Sequence, residues 1–93
     1  MAQNTDITIP LATWTQITDA NVTSITFQNK GTFFVIVKGT TDGTAPTDEN
    51  GSVRYNPGQG ERNVALSDLF PGVSAVRVWA YSPGGTSMMV SHA

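Results

Sequence analysis

The stretch Thr32-Phe-Phe-Val-Ile-Val-Lys38 decides how this chain folds. Its apolar run, Phe33 to Val37, is wholly aromatic or β-branched, and a charge and then Gly39 close it. Such a run is too short for a buried helix and is made of residues that suit a pleated, packed surface. It predicts a strand covered on both faces. One layer must lie over Phe33, Val35 and Val37, and other cover over Phe34 and Ile36. A single sheet open to water on one side cannot provide both, so the stretch demands two layers.

On either side of it the pattern is one of short alternating pieces. Ile7 and Ile9 flank Thr8 and end at Pro10; Trp14 to Thr18 alternates again; Val22 to Asn29 puts Ile25 and Phe27 on one face. Asn29-Lys-Gly31 reads as a hairpin-like connection into the central stretch. Ser52 to Tyr55 is a short strand, Asn56 to Gly60 a tight turn, and Arg62 to Leu66 another strand. Ser67 to Gly72 reads as one helical turn capped by Ser67 and stopped at Pro71, with Leu69 and Phe70 plugging an end of the core. Ala75 to Tyr81 is the second strong strand, with Val76, Val78 and Ala80 inward and Arg77, Trp79 and Tyr81 outward. Ser87 to His92 is the last. About eight short strands, with turn signals roughly every ten residues, predict an all-β fold. The expected architecture is a small antiparallel β-sandwich, jelly-roll-like or Ig-like, over residues 7–93. Met1 to Asp6 has nothing to bury and reads as a flexible arm.

The totals agree with a single small domain. With 93 residues and no cysteine, neither a disulfide nor a thiolate metal site supplements the core. Charged residues make up only 13% of the chain, and the formal charge is −2. Lys30, Lys38, Arg54, Arg62 and Arg77 are scattered rather than clustered, which argues against nucleic acid as a partner. No apolar stretch is long enough to cross a bilayer, and the start lacks a signal peptide's basic and apolar regions. The expectation is a protein made in the cytoplasm that does not partner a membrane.

Catalytic equipment is sparse. The one histidine, His92, stands next to the last residue and reads as a solvated imidazole. No nucleophile elbow, P-loop or zinc motif is present, so the reading is a non-enzyme without cofactor or metal. The long irregular segment Gly39 to Gly51 carries Asp42, Asp48, Glu49 and Asn50, oxygen donors of the kind Ca²⁺ takes. Their spacing is not that of an EF-hand, and acidic residues beside glycines commonly just solvate a loop. A loop of this length in so small a domain is more often an interaction surface.

The aromatic set is the better candidate. Arg77, Trp79 and Tyr81, joined by Trp14 and Tyr55, suit either a subunit interface, where Arg and aromatics concentrate, or a sugar-stacking platform. Val76, Val78, Ile25 and Phe27 suffice to cover one side of the central stretch. For Phe34 and Ile36 only Leu69, Phe70 and one of Met88 or Met89 remain, a shortage that predicts cover by a second subunit.

In order along the chain, Trp14-Thr-Gln-Ile-Thr18, Ser24 to Asn29, Ala45-Pro-Thr47, Pro57-Gly-Gln-Gly-Glu-Arg62, Leu69-Phe-Pro-Gly72 and Arg77-Val-Trp-Ala80 form a recognisable phrasing. It resembles small accessory virion proteins of tailed bacteriophages and of the phage-like gene transfer agents of marine α-proteobacteria. The resemblance implies a β-rich, non-catalytic protein in the virion, bound to the major capsid protein or other virion proteins. It would act as a capsid decoration protein or as the base of a head spike or fibre, in an oligomer, with host-surface glycan as a further partner. The arm would dock, and the loop from Thr40 to Asn50 would project outward.

Overall fold

The computed structural model describes residues 2–93 as eight strands and one helical turn. The strands are β1 (Gln3–Ile9), β2 (Thr15–Gln16), β3 (Ser24–Asn29), β4 (Val35–Thr40), β5 (Val53–Tyr55), β6 (Gly60–Ala65), β7 (Arg77–Tyr81) and β8 (Thr86–His92). The turn α1 (Leu66–Leu69) follows β6 directly. They form two four-stranded antiparallel sheets, in the orders β1-β8-β3-β6 and β2-β7-β4-β5. The protein is a small β-sandwich, as the two-faced stretch requires.

The pairing has a simple rule. β4 pairs with β5, β3 with β6, β2 with β7 and β1 with β8, so each strand meets the one equally far from the β4–β5 connection. The chain is in effect one long hairpin rolled over on itself, and the β3–β8 and β4–β7 pairings zip the roll into two sheets. This is the strand order of a jelly roll. An immunoglobulin order would put β1 beside β2, and here they lie in different sheets.

Alternation explains the core. Ile25 and Phe27 of β3, Val35 and Val37 of β4, Val78 and Ala80 of β7, and Met88 and Val90 of β8 all point between the sheets and are buried. Leu66 and Phe70 close one end with half-buried Leu69; the N-cap of α1 is Ala65, which offers no side-chain hydrogen bond, so Ser67 is not the cap. Gly39 is required at that end. A Cβ there would lie 2.6 Å from Phe70 Cδ2 and 2.8 Å from the Ala75 Cβ.

Three expectations fail at the strand ends. Residues from Gln3 on are no arm but the first half of β1, paired with β8 from Gln3↔His92 to Ile9↔Thr86; Met1 lies outside the described residues. Backbone pairing needs no apolar side chain, which is why this segment left no hydrophobic signal. The central strand starts at Val35, two residues later than the apolar run. Asn29-Lys-Gly31 is not a hairpin, because β3 and β4 belong to opposite sheets.

That crossing is held by Asn29, whose side chain is fully buried. Its Nδ2 donates to the carbonyls of Phe33 (2.8 Å) and Tyr55 (3.2 Å). Its Oδ1 accepts from the Gly31 N–H (3.1 Å) and the Thr86 hydroxyl (2.7 Å). One side chain thus joins β3, the crossing segment, β5 and β8, and each of its hydrogen-bonding groups has a partner.

Candidate functional site

The outer face of the β2-β7-β4-β5 sheet is built by register. Gln16, Trp79 and Lys38 are opposite one another across it, and so are Tyr81, Ile36 and Arg54. Directly paired residues share a face in an antiparallel sheet, so this surface carries the residues singled out in the sequence. They divide into two groups.

The first group is engaged within the chain. Trp79 is only 8% exposed, and its indole N–H donates to Thr40 Oγ1 at 2.9 Å. The Arg77 guanidinium donates through Nε to Asn21 Oδ1 (2.9 Å) and through Nη1 to Gln16 Oε1 (3.5 Å), and Gly43 of the long loop lies against it. The loop, residues 41–52, is exposed along nearly its whole length and is tied to the sheet at one point, where Lys38 Nζ meets Asp48 Oδ1 at 2.9 Å. That ammonium, together with the Asn50 N–H, holds the Asp48 carboxyl below its usual value. Asp42 Oδ1 accepts from the Thr44 N–H in its own turn, and Ser52 bonds the Glu49 carbonyl. Among the described residues no three His, Asp or Glu side chains gather to hold a metal.

The second group is open. Trp14 and Tyr81 are both half-buried, with ring centroids 5.2 Å apart and planes tilted by 41°. Phe33 is 40% exposed and stacks on Phe34 at 5.1 Å, and the Arg54 guanidinium lies 3.8 Å over the Phe34 ring. The Ser82 hydroxyl, next to Tyr81, donates to the Phe34 carbonyl at 2.7 Å and joins the two pairs. Leu11, 67% exposed, makes a backbone bridge to Ser82. The result is an aromatic surface with one arginine at its edge, at the end of the sheet where β4 begins and β7 ends.

Phe33, Phe34, Arg54 and Leu11 were not expected here. The run Phe33 to Val37 reads as one strand, but the facing sheet covers only Val35 and Val37 from the inside. The two phenylalanines stand ahead of the strand and turn outward. A run longer than the strand it opens was the available signal. Ile36 does not need a second subunit for cover. It is 6% exposed in the single chain, flanked by Tyr81 and Arg54, while Leu69, Phe70 and Met88 pack in the core instead.

Tyr55 belongs to neither group. It points into the core, edge-on to Phe27 with ring centroids 4.9 Å apart, and its hydroxyl donates to Glu61 Oε2 at 3.1 Å. Burial first, and then the Glu61 carboxylate, push the phenol well above its ordinary value. The strand β5 is only three residues long, too short for alternation to show which face Tyr55 takes.

His92 is not solvated either. As the last inward residue of β8 it is 7% exposed, with Nε2 3.0 Å from Gln3 Oε1 and 3.2 Å from Asp19 Oδ1. Nδ1 faces the Ala93 carbonyl at 3.1 Å, so both ring nitrogens have partners within the chain. Its partners tie the start of β1, the β2–β3 connection and the end of β8 together.

No family model matches the chain, and comparison with curated proteins and with solved structures finds none similar to it.

Proposed function

We propose that this chain is a non-enzymatic structural protein of a virion, docking on a capsid exterior or a vertex through the aromatic–arginine surface of Trp14, Tyr81, Phe33, Phe34 and Arg54. The observation that carries the reading is the Phe33–Phe34 stack under Arg54, continued by Trp14 and Tyr81. Exposed aromatics beside an arginine are the composition of a protein–protein contact centre. The jelly-roll order supports the same reading by analogy alone, since capsid and lectin domains both use it. The phrasing of the sequence supports the virion as its setting.

The test is co-sedimentation with capsids that lack accessory proteins. The wild-type chain pellets with them, while Phe33→Ala combined with Arg54→Ala weakens capture by tenfold or more without unfolding the protein. Failure of the wild-type chain to pellet at any workable concentration ends the proposal.

A second reading is host-glycan attachment, favoured by the half-exposed Trp14–Tyr81 pair, whose rings offer faces for a sugar. Trp79 has no part in it, being buried. Loss of glycan-array binding in Trp14→Ala, with capsid capture intact, would favour this reading over the first.

A further inference from the structure

Each sheet has two edges, and three of the four are guarded against pairing with another chain. β2 is two residues long and β5 three, too short to template a strand. β6 is broken where its register with β3 shifts between Ile25 and Phe27, carries Glu61 and Arg62, and bends at Asn63, whose φ is 47°. Short strands, bulges and charges are the usual protections of an open edge. The fourth edge, β1, is neither short nor bulged. It runs seven residues in unbroken register with β8, its outer side faces no strand, and its one charge, Asp6, is already paired with Lys30 at 3.0 Å.

We infer that the β1 edge is a self-association surface, on which β1 of a second copy of this chain adds antiparallel across a two-fold axis through Ile7. The register follows from the side chains. In an antiparallel pair related by a two-fold, residues of equal parity meet, so the axis passes through Thr5, Asp6 or Ile7 if most of the strand is to pair. An axis at Asp6 sets two carboxylates opposite each other, which is unfavourable. An axis at Thr5 pairs Gln3 with Ile7. An axis at Ile7 pairs the two half-buried Ile7 side chains with each other, Thr5 with Ile9 and Asp6 with Thr8, and opposes no like charges. Ile7 lies at the lip of the open seam between the sheets, beside Ile17, so this register also covers the apolar surface that β1 leaves to water. The inference goes beyond the docking proposal and concerns the other sheet, so neither result bears on the other.

The absence of cysteine makes the test direct, because a single introduced thiol cross-links only to a second copy. With the axis at Ile7, Cα atoms at position 7 face each other about 4.5–5.5 Å apart, within disulfide range. Those at position 5 are about 13 Å apart along the strands, outside it. Under mild oxidation Ile7→Cys should run mostly as a covalent dimer on a non-reducing gel, with Thr5→Cys giving at least tenfold less. The unmodified chain should dimerise with rising concentration by light scattering. A chain that stays monomeric up to about millimolar concentration overturns the inference whether or not the variants fold. Equal cross-linking at both positions, or more at position 5, overturns the register and with it the pairing.

Discussion

Asn29→Ala is the sharpest perturbation of this fold. The substitution deletes the four hydrogen bonds of a fully buried side chain, to the Phe33 and Tyr55 carbonyls, the Gly31 N–H and the Thr86 hydroxyl. At about 1 kcal/mol net for each bond the loss is about 4 kcal/mol, and more if the orphaned backbone groups find no water. For 93 residues the whole stability is on the order of 5–14 kcal/mol, so this one amide is a large part of it. In a domain of this size the midpoint of thermal unfolding should fall by about 15–30 °C. The variant Asn29→Asp sharpens the test, since it keeps the size and both acceptor contacts but turns the donor atom into an oxygen facing two carbonyls. It should be at least as damaging as alanine. Urea unfolding followed by tryptophan fluorescence and circular dichroism measures both, with an unchanged m-value showing that the denatured state is unaltered. A loss below about 1 kcal/mol in Asn29→Ala would refute the claim that this side chain holds the crossing between the sheets.

Gly39→Ala should lose about 1–3 kcal/mol by urea unfolding, since the new methyl meets Phe70 and Ala75 at 2.6 and 2.8 Å in a packed end of the core. Tyr55 gives an alkaline signature. Its folded phenol titrates above the unfolded value of 10.0, so its stabilising contribution is complete below pH 10 and is lost as the pH rises further. Thermal melts should therefore fall as the pH is raised above 10.0 in the wild-type protein, and less steeply in Tyr55→Phe. Equal slopes in the two proteins would count against burial of the phenol.

Much of the sandwich was legible because period-two alternation is a local property. Ile25 and Phe27, Val78 and Ala80, and Met88 or Met89 with Val90 announce their strands and inward faces without reference to any partner. The requirement for two layers was legible in the same way, from an apolar run that no single layer covers. Of the residues singled out for the outer face, Trp14, Arg77 and Tyr81 are half-exposed there, while Trp79 shares the face but is buried. Exposure depends on what packs beside a residue, and here the Trp79 indole N–H is taken by Thr40 of the neighbouring strand.

The chain by itself therefore determined the class, the number of strands to within one or so, the two-layer packing and the sparse charge of the surface. Tertiary structure alone decided the order of the strands, the crossing at Asn29, the pairing of Gln3 to Asp6 with β8 and the inward turn of Tyr55 and His92. The physical reason is the same in each case. Rolling one long hairpin into a jelly roll pairs residues from opposite ends of the sequence, such as Gln3 with His92, and such contacts leave no periodic trace in either segment. The central run shows both sides: its apolar length demanded cover, but only the rolled sheet decided that Val35 to Val37 would be covered and that Phe33 and Phe34 would be left at the surface.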